Sequence, residues 1–473
     1  MKATLPLSGT EYDRLVADAI KGDRLVKCPP AYAYGSCDMD LTLTYLWCYA
    51  PRMLGYRKKA FRRAHALLRV IEADQDDFGS LKALQLMLVE EIKRAERRVR
   101  ELKAESKLLP SDSPTRKRKS LETRTTAAQT LIFLWKCFGD GIAFIYVDKY
   151  ALKHTYLHAT NPNPKQSAGF LLDKKGFESE WLLLESALSH NVPAVLADLT
   201  NTIRHGDLCL LGASDPYLIE VKSSNTKNSR GRRQRQDLQI LQEFFENDHS
   251  DRLRGMSSIY REEHILPEVT YGAELNTAIK KCLVEDIGIT RPEAGLIYIA
   301  LRTKAAKLDE AFEHIDIEQP WMFGLNGVKN DRAWAPYYPF TLTIRDFDLL
   351  WAFVRGEIFL MILVGRQQLE AIGSRDGNTS TFDPEDDFYP LAVNLPNNGG
   401  TMRLASQALA RIGLECVSAD WLISNSVASF KLAAEKMADD PNAQIMADGS
   451  NIDALSRRYM EVAGIVFPDK PVT

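Results

Sequence analysis

Two short apolar runs, Asp207 to Leu211 and Tyr217 to Lys222, stand either side of the turn-forming segment GASDP (Gly212 to Pro216), and this arrangement constrains the chain more than any other part of it. Runs of that length with Gly, Ser, Asp and Pro between them fold as a β-hairpin. Side chains alternate along the second run, so Leu218, Glu220 and Lys222 project to one face of the sheet and Ile219 and Val221 to the other. A four-residue loop sets Asp207 opposite Glu220 or Lys222, whereas a five-residue loop sets it opposite Val221 and needs a bulge to correct the facing. Amphipathic helical spacing precedes the hairpin at Glu178 to His190, and another strand-like run lies at Ala194 to Thr200. A helical segment follows at Arg232 to Glu246, and a further strand, Gly295 to Leu301, comes after a long insertion. The expected order is helix, three strands, helix, strand: an α/β core over about 170 to 302.

Two carboxylates and a lysine side by side on a buried sheet are costly unless a charge sits between them, and a hard divalent cation with oxygen ligands meets that need. Asp207 and Glu220 are therefore candidate Mg²⁺ ligands, with Mn²⁺ expected to substitute. Lys222 is the candidate for orienting a nucleophilic water or neutralising charge in the transition state. An acid-x-Lys triplet is weak by itself, since Glu105-Ser106-Lys107 and Asp173-Lys174-Lys175 also occur. The conjunction carries the weight: an Asp at the head of one strand, Glu and Lys on the next, acids on the helix before and glutamines on the helix after.

With Asp207, Glu220-Val221-Lys222 and that element order, residues 170 to 302 resemble the PD-(D/E)XK superfamily of restriction-endonuclease-like nucleases. The resemblance implies a core of helix, three-strand meander, helix and strand, with Asp207 and Glu220 as metal ligands and Lys222 as the catalytic lysine. It further implies an acid from the first helix, for which Glu185 is the candidate metal ligand and Glu178 the reserve. A catalytic glutamine on the following helix is assigned to Gln236, with Gln234 and Gln239 as alternatives. Gly206 stands where the motif's name expects proline. The implied activity is that of an Mg²⁺-dependent endonuclease hydrolysing double-stranded DNA, and by analogy with the superfamily an effector of prokaryotic restriction or antiphage defence.

Sixty basic against 63 acidic residues leave a formal charge of -3, so affinity for DNA has to come from local patches. The segment KNSRGRRQR supplies one directly after Lys222, and Lys227, Arg230, Arg232, Arg233 and Arg235 are candidate contacts to phosphates flanking the scissile bond. Other chemistries lack their residues. His154 and His158 are four apart without the acid of a zinc protease, and neither a phosphate-binding G-x-x-x-x-G-K-[ST] loop nor a G-x-S-x-G elbow is present. Seven cysteines with no C-x-x-C pair argue against a zinc ribbon or a disulfide scaffold and fit a reducing cytosol. The opening MKATLPLSGTEYDRL lacks the apolar region of a signal peptide, and the longest apolar run, Ile358 to Val364, is far shorter than the ~20 residues that span a bilayer. A cytoplasmic protein without membrane contact is expected.

At roughly 150 residues per domain, 473 residues predict about three domains. The first, 1–120, holds two helical segments, 57–78 and 80–106, joined by a turn at Asp74 to Gly79, with Ser80 as the expected cap. Leu81, Leu84, Leu88, Ile92, Ala95, Val99 and Leu102 recur at helical spacing, which predicts an antiparallel hairpin. Its basic outer face is the expected surface for a second copy or a defence-complex partner, or for phosphates. Pro110 to Ser120 (PSDSPTRKRKS) is expected to be a mobile linker. Residues 121–305 form the expected nuclease domain, opening on an apolar helix at 121–138, after which Gly139-Asp140-Gly141 interrupts a second hydrophobic segment, IAFIYVDKYALKHTYL. Residues 306–473 form a C-terminal α+β region to which no role is assigned. The alternative reading keeps the fold without catalysis, as a nucleic-acid-binding module or a scaffold or sensor subunit of a complex.

Overall fold

A computed structural model describes Leu54 and residues 57–438, apart from 222–228, 257–258, 262–263, 304–312, 314, 318–319, 387 and 398. Chain order begins with helices α1 (Lys58–Ala73) and α2 (Phe78–Lys107). The cap of α2 is Asp77 rather than Ser80: its carboxylate accepts the Ser80 N–H at 2.8 Å and the Ser80 hydroxyl at 2.7 Å, so the helix starts two residues early. Helix α3 (Thr115–Tyr146) folds back along α2 and packs against both earlier helices. The expected linker is thus a short turn, and Arg116 to Lys119 lie exposed on the first turns of α3. Pro114 directly precedes the first helical residue, where a missing N–H costs nothing.

Helix α3 also runs unbroken through Gly139-Asp140-Gly141, the expected interruption. These glycines serve close approach. A Cβ on Gly139 would lie 1.9 Å from the carbonyl oxygen of Leu199, and one on Gly141 would lie 2.9 Å from the Leu68 side chain. Within α3 lies an 18-residue stretch long and apolar enough, by length and composition alone, to cross a membrane; 78% of it is buried inside the molecule.

Next come α4 (Lys149–His154), α5 (Phe177–Ser189) and a three-stranded antiparallel sheet, β1 (Ala194–Leu196), β2 (Leu208–Leu210) and β3 (Tyr217–Ile219), in that spatial order. The last part of the run Ala194 to Thr200 is a 3₁₀ turn, Ala197–Leu199. Strand β1 keeps one edge against β2, and Gln85 of α2 covers the other: its Nε2 donates to the Ala194 carbonyl at 2.9 Å, and its Oε1 accepts the Leu196 N–H at 3.1 Å. Helix α6 (Ser229–Asn247) then packs on β3.

After β4 (His249–Ser250), β5 (Ile259–Tyr260) and α7 (Gly272–Glu285), strands β6 (Ile287–Glu293), β7 (Leu296–Arg302), β8 (Trp321–Gly324) and, after α8 (Leu325–Asn330), α9 (Phe340–Thr343) and α10 (Phe347–Val354), β9 (Ile358–Val364) form a second antiparallel sheet. Its spatial order is β6-β7-β9-β8. The strand expected to close the nuclease core, Gly295 to Leu301, is therefore β7 and lies in this sheet, not beside β1–β3. Its residues Leu296 to Leu301 are all buried, which a central strand with partners on both edges satisfies. The chain continues through α11 (Arg366–Gly373), a small sheet of β10 (Thr379–Phe382), β11 (Leu391–Asn394) and β12 (Thr401–Leu404), then α12 (Ser406–Leu414) and α13 (Ala419–Ala438). The architecture among the described residues is mixed α/β, with 13 α-helices and several small antiparallel sheets. One buried apolar cluster runs from Leu54 to Val427 and a smaller one, around Ile299 and Met361, fills the other face of β7 and β9.

Candidate metal centre

The hairpin register pairs Leu208 with Ile219, Cys209 with Leu218 and Leu210 with Tyr217, the connection being residues 211–216. The pairing ends at Leu208 and Ile219: Asp207 immediately precedes β2 and Glu220 immediately follows β3, and the Asp207 N–H donates to the Ile219 carbonyl at 2.8 Å. Asp207 Oδ2 accepts the N–H of Val221 at 2.9 Å, and the Asp207 carbonyl accepts the Ala197 N–H at 2.9 Å.

Gly206 explains its own departure from the proline of the motif. Its φ is +70°, which a pyrrolidine ring fixed near -65° cannot reach, and a Cβ there would lie 2.7 Å from the Ile219 carbonyl oxygen.

Two further carboxylates meet Asp207. Glu180, buried in the first turn of α5, and Asp198, buried in the 3₁₀ turn after β1, converge with it on the ammonium of Lys174. Lys174 Nζ lies 2.9 Å from Glu180, 2.7 Å from Asp198 Oδ2 and 3.0 Å from Asp207 Oδ1. Three neighbours enlarge the group. Glu96 of α2 is buried and accepts the backbone N–H groups of Leu171 and Leu172 at 3.0 and 2.8 Å. Asp140 of α3 accepts the N–H groups of Asn201 and Thr202 at 2.8 and 2.9 Å, anchoring the loop between β1 and β2, and Lys136 is buried on the same helix.

The electrostatics follow from this crowding. Burial, reinforced by Asp207 and Asp198, pushes the Glu180 carboxyl well above its ordinary value, although its bond to Lys174 opposes the shift. Burial likewise raises Glu96 and Asp140 and lowers Lys136. Lys174 is raised despite its burial, because Asp198, Glu180 and Asp207 all favour its charged form. Carboxylates from three separate elements aimed at one cationic centre are an oxygen donor set that suits a hard divalent ion. Among the described residues no three acidic, imidazole or thiol groups are already set at metal-ligand spacing. The carboxylates here are spaced for an ammonium, whose N···O distances of 2.7 to 3.0 Å exceed the ~2.1 Å of a Mg–O bond.

The remaining sequence candidates fall in different places. Glu220 directly follows β3 and is half-buried. Glu185 does not join the group: it sits on the outer side of α5, paired with Lys82 of α2 at 2.8 Å, because five residues along a helix rotate a side chain well away from Glu180. Glu178 is exposed. Gln236 is exposed on α6, with Gln234 half-buried and Gln239 exposed. Arg232, Arg233 and Arg235 are exposed on the first turns of α6, and Arg230 is the second residue of that helix. Lys222 and Lys227 lie outside the described residues. Lys165 ties α6 to the loop ahead of Asp207, its Nζ lying 2.9 Å from His205 Nδ1 and 3.6 Å from Asp237.

Sequence reasoning missed Lys174, Glu180 and Asp198. A signal existed for Asp198, a lone acid inside the apolar run Ala194 to Thr200, and Glu180 lies on the same helix as Glu178 and Glu185. Lys174 belongs to a triplet that chance alone accounts for.

No family model, curated protein or solved structure matches this chain.

Proposed function

We propose that the chain is a metal-dependent nuclease of the PD-(D/E)XK kind, an Mg²⁺-dependent endonuclease acting on double-stranded DNA, with Mn²⁺ able to substitute. One observation carries the reading: Asp207, at the head of β2, meets two more carboxylates, Glu180 and Asp198, at the ammonium of Lys174. Asp207 and Glu220 would hold the ion, with Glu180 in the part that the sequence pattern gives to Glu185. Bound there, a divalent cation supplies a water of lowered pKa and neutralises charge on the phosphate oxygens. The chain's own groups do the rest: Lys222 orients the attacking water, the exposed Arg232, Arg233 and Arg235 grip flanking phosphates, and the Val221 N–H keeps the Asp207 carboxylate aimed.

A cytoplasmic effector of prokaryotic restriction or antiphage defence is the setting this activity suggests, by analogy with the superfamily. A second reading, a catalytically silent nuclease-fold module serving as a DNA-binding or scaffold subunit, draws on Lys174, whose ammonium partly offsets the three carboxylates without any metal. Incubation of the purified chain with supercoiled plasmid in Mg²⁺, Mn²⁺ or EDTA separates the two. Nicking or linearisation that EDTA abolishes supports the nuclease, and DNA binding without cleavage in either metal supports the silent module.

A further inference from the structure

The residue that fills the carboxylate group has a backbone built to hold it there. Lys174 lies between two positions of positive φ, Asp173 at +65° and Gly176 at +99°, so the 173–176 segment is a tight turn leading into α5. Helix α2 fastens that turn from outside. Glu96 takes the N–H groups of Leu171 and Leu172, Arg100 donates to the Leu172 carbonyl at 3.0 Å and pairs with Asp173, and Lys93 sits 3.9 Å above the Phe177 ring. The turn itself carries little apolar burial: Asp173 and Lys175 are exposed, and the Lys174 side chain keeps 24% exposure. Its seat is therefore polar, made of ion pairs and hydrogen bonds that exchange with water more readily than packed hydrocarbon.

An ammonium and a divalent ion compete for the one point on which these carboxylates converge. An ammonium at 2.7 to 3.0 Å from Glu180, Asp198 and Asp207 occupies the point on which their oxygens converge, and a divalent ion needs the same oxygens drawn in by roughly 0.7 Å. We propose that Lys174 is an intramolecular counter-ion that blocks the metal centre, and that the 173–176 turn swings out, with Leu171 staying buried in the core behind it, to let a divalent cation take its place. The proposal rests on the nuclease reading for the identity of the site, but concerns metal binding and not cleavage. In physical terms the blocked and open states differ in which positive charge neutralises one set of carboxylates, so the affinity for metal is reduced by the fraction of molecules in which Lys174 is seated.

Mn²⁺ titration by calorimetry, on the full chain and without DNA, tests this. Lys174→Met removes the charge and keeps the length. It is expected to bind Mn²⁺ about tenfold or more tightly than the wild type, the factor that applies if Lys174 is seated in some nine molecules of ten. Adding Asp207→Asn to Lys174→Met should cancel the gain. Affinity in Lys174→Met equal to or weaker than in the wild type overturns the proposal. Should the variant unfold because three carboxylates are left without a cation, its thermal denaturation is followed with rising Mn²⁺. A midpoint that climbs with Mn²⁺ more steeply than in the wild type supports the blocking role, and one that no Mn²⁺ concentration restores overturns it. Tighter Mn²⁺ binding with no plasmid cleavage by any variant would sink the nuclease reading and leave Lys174 its role. Cleavage by the wild type with Mn²⁺ affinity indifferent to Lys174→Met would do the reverse.

Discussion

The N–H of Val221 donates to Oδ2 of Asp207 at 2.9 Å, so this carboxylate is fixed at one oxygen by the backbone of the neighbouring chain segment while the other faces Lys174. A side chain so held contributes direction as well as charge. Replacing Asp207 by Asn keeps an acceptor for Val221 and removes the charge. We expect Asp207→Asn to retain the circular dichroism of the wild type and to lose Mg²⁺-dependent plasmid cleavage by about two orders of magnitude or more, since an amide is a far poorer ligand for a hard cation. Cleavage near the wild-type rate would remove Asp207 from the centre.

The exposed arginines at the start of α6 set a second expectation. Neutralising Arg230, Arg232, Arg233 and Arg235 together should weaken duplex DNA binding across all sequences and flatten its log-log salt dependence by about 0.9 for each phosphate no longer engaged. Fluorescence anisotropy at several salt concentrations measures that slope. The competing surface is the basic face of α2, where Arg94 and Arg97 are exposed and Arg98 pairs with Glu101. If the α6 variant keeps its slope and Arg94, Arg97 and Arg98 prove to carry it instead, DNA lies along the helical arm.

Gly139 tests how the helical layer positions Asp198. Its Cα faces the carbonyl of Leu199, in the turn that carries Asp198, so a methyl group at 1.9 Å from that oxygen must push helix and turn apart. Gly139→Ala should cost about 3 kcal/mol of stability, readable as a shift of the urea midpoint. A midpoint equal to the wild type's would show that α3 and the turn do not touch there.

Lys329 makes the pH dependence of stability measurable. It is 2% exposed, its Nζ donates to the carbonyls of Phe353 and Val354 at the end of α10 at 2.5 and 3.3 Å, and burial pulls its pKa from the ordinary 10.5 to about 7. Above 10.5 the group is neutral in both folded and unfolded chains and its full contribution is present. As pH falls from there toward 7 the unfolded chain takes up a proton that the folded chain refuses, and stability drops by about 1.4 kcal/mol per unit. Below about 7 the loss is complete. Urea midpoints at about pH 7, 8.5 and 10 should therefore rise more steeply in the wild type than in Lys329→Met, and parallel curves would contradict the shift.

Local chemistry made the hairpin legible. Apolar runs, a turn rich in Gly, Ser, Asp and Pro, and side-chain alternation are all written within a few residues, and together they give the two paired strands that Asp207 precedes and Glu220 follows. The helices around them were equally readable from spacing. What stayed hidden depends on partners distant in sequence. Gly139 and Gly141 look like a break until Leu199 and Leu68 arrive against them, and Glu180 outranks Glu185 only because the turn at Lys174 folds over its side of α5. Strand β7 carries no mark of which sheet it will join; its pairing with β9, far along the chain, decides that.

Gln85 leaves a last consequence. Its amide presents one donor and one acceptor to Ala194 and Leu196, the pair of bonds another strand would make, so the backbone of β1 has no vacancy for a foreign segment. Proteins that polymerise or exchange strands need such a vacancy as a template. Along this edge the meander is sealed inside the molecule by a buried side chain from its own helical arm, so a second copy has no access to β1 and cannot extend the sheet from it.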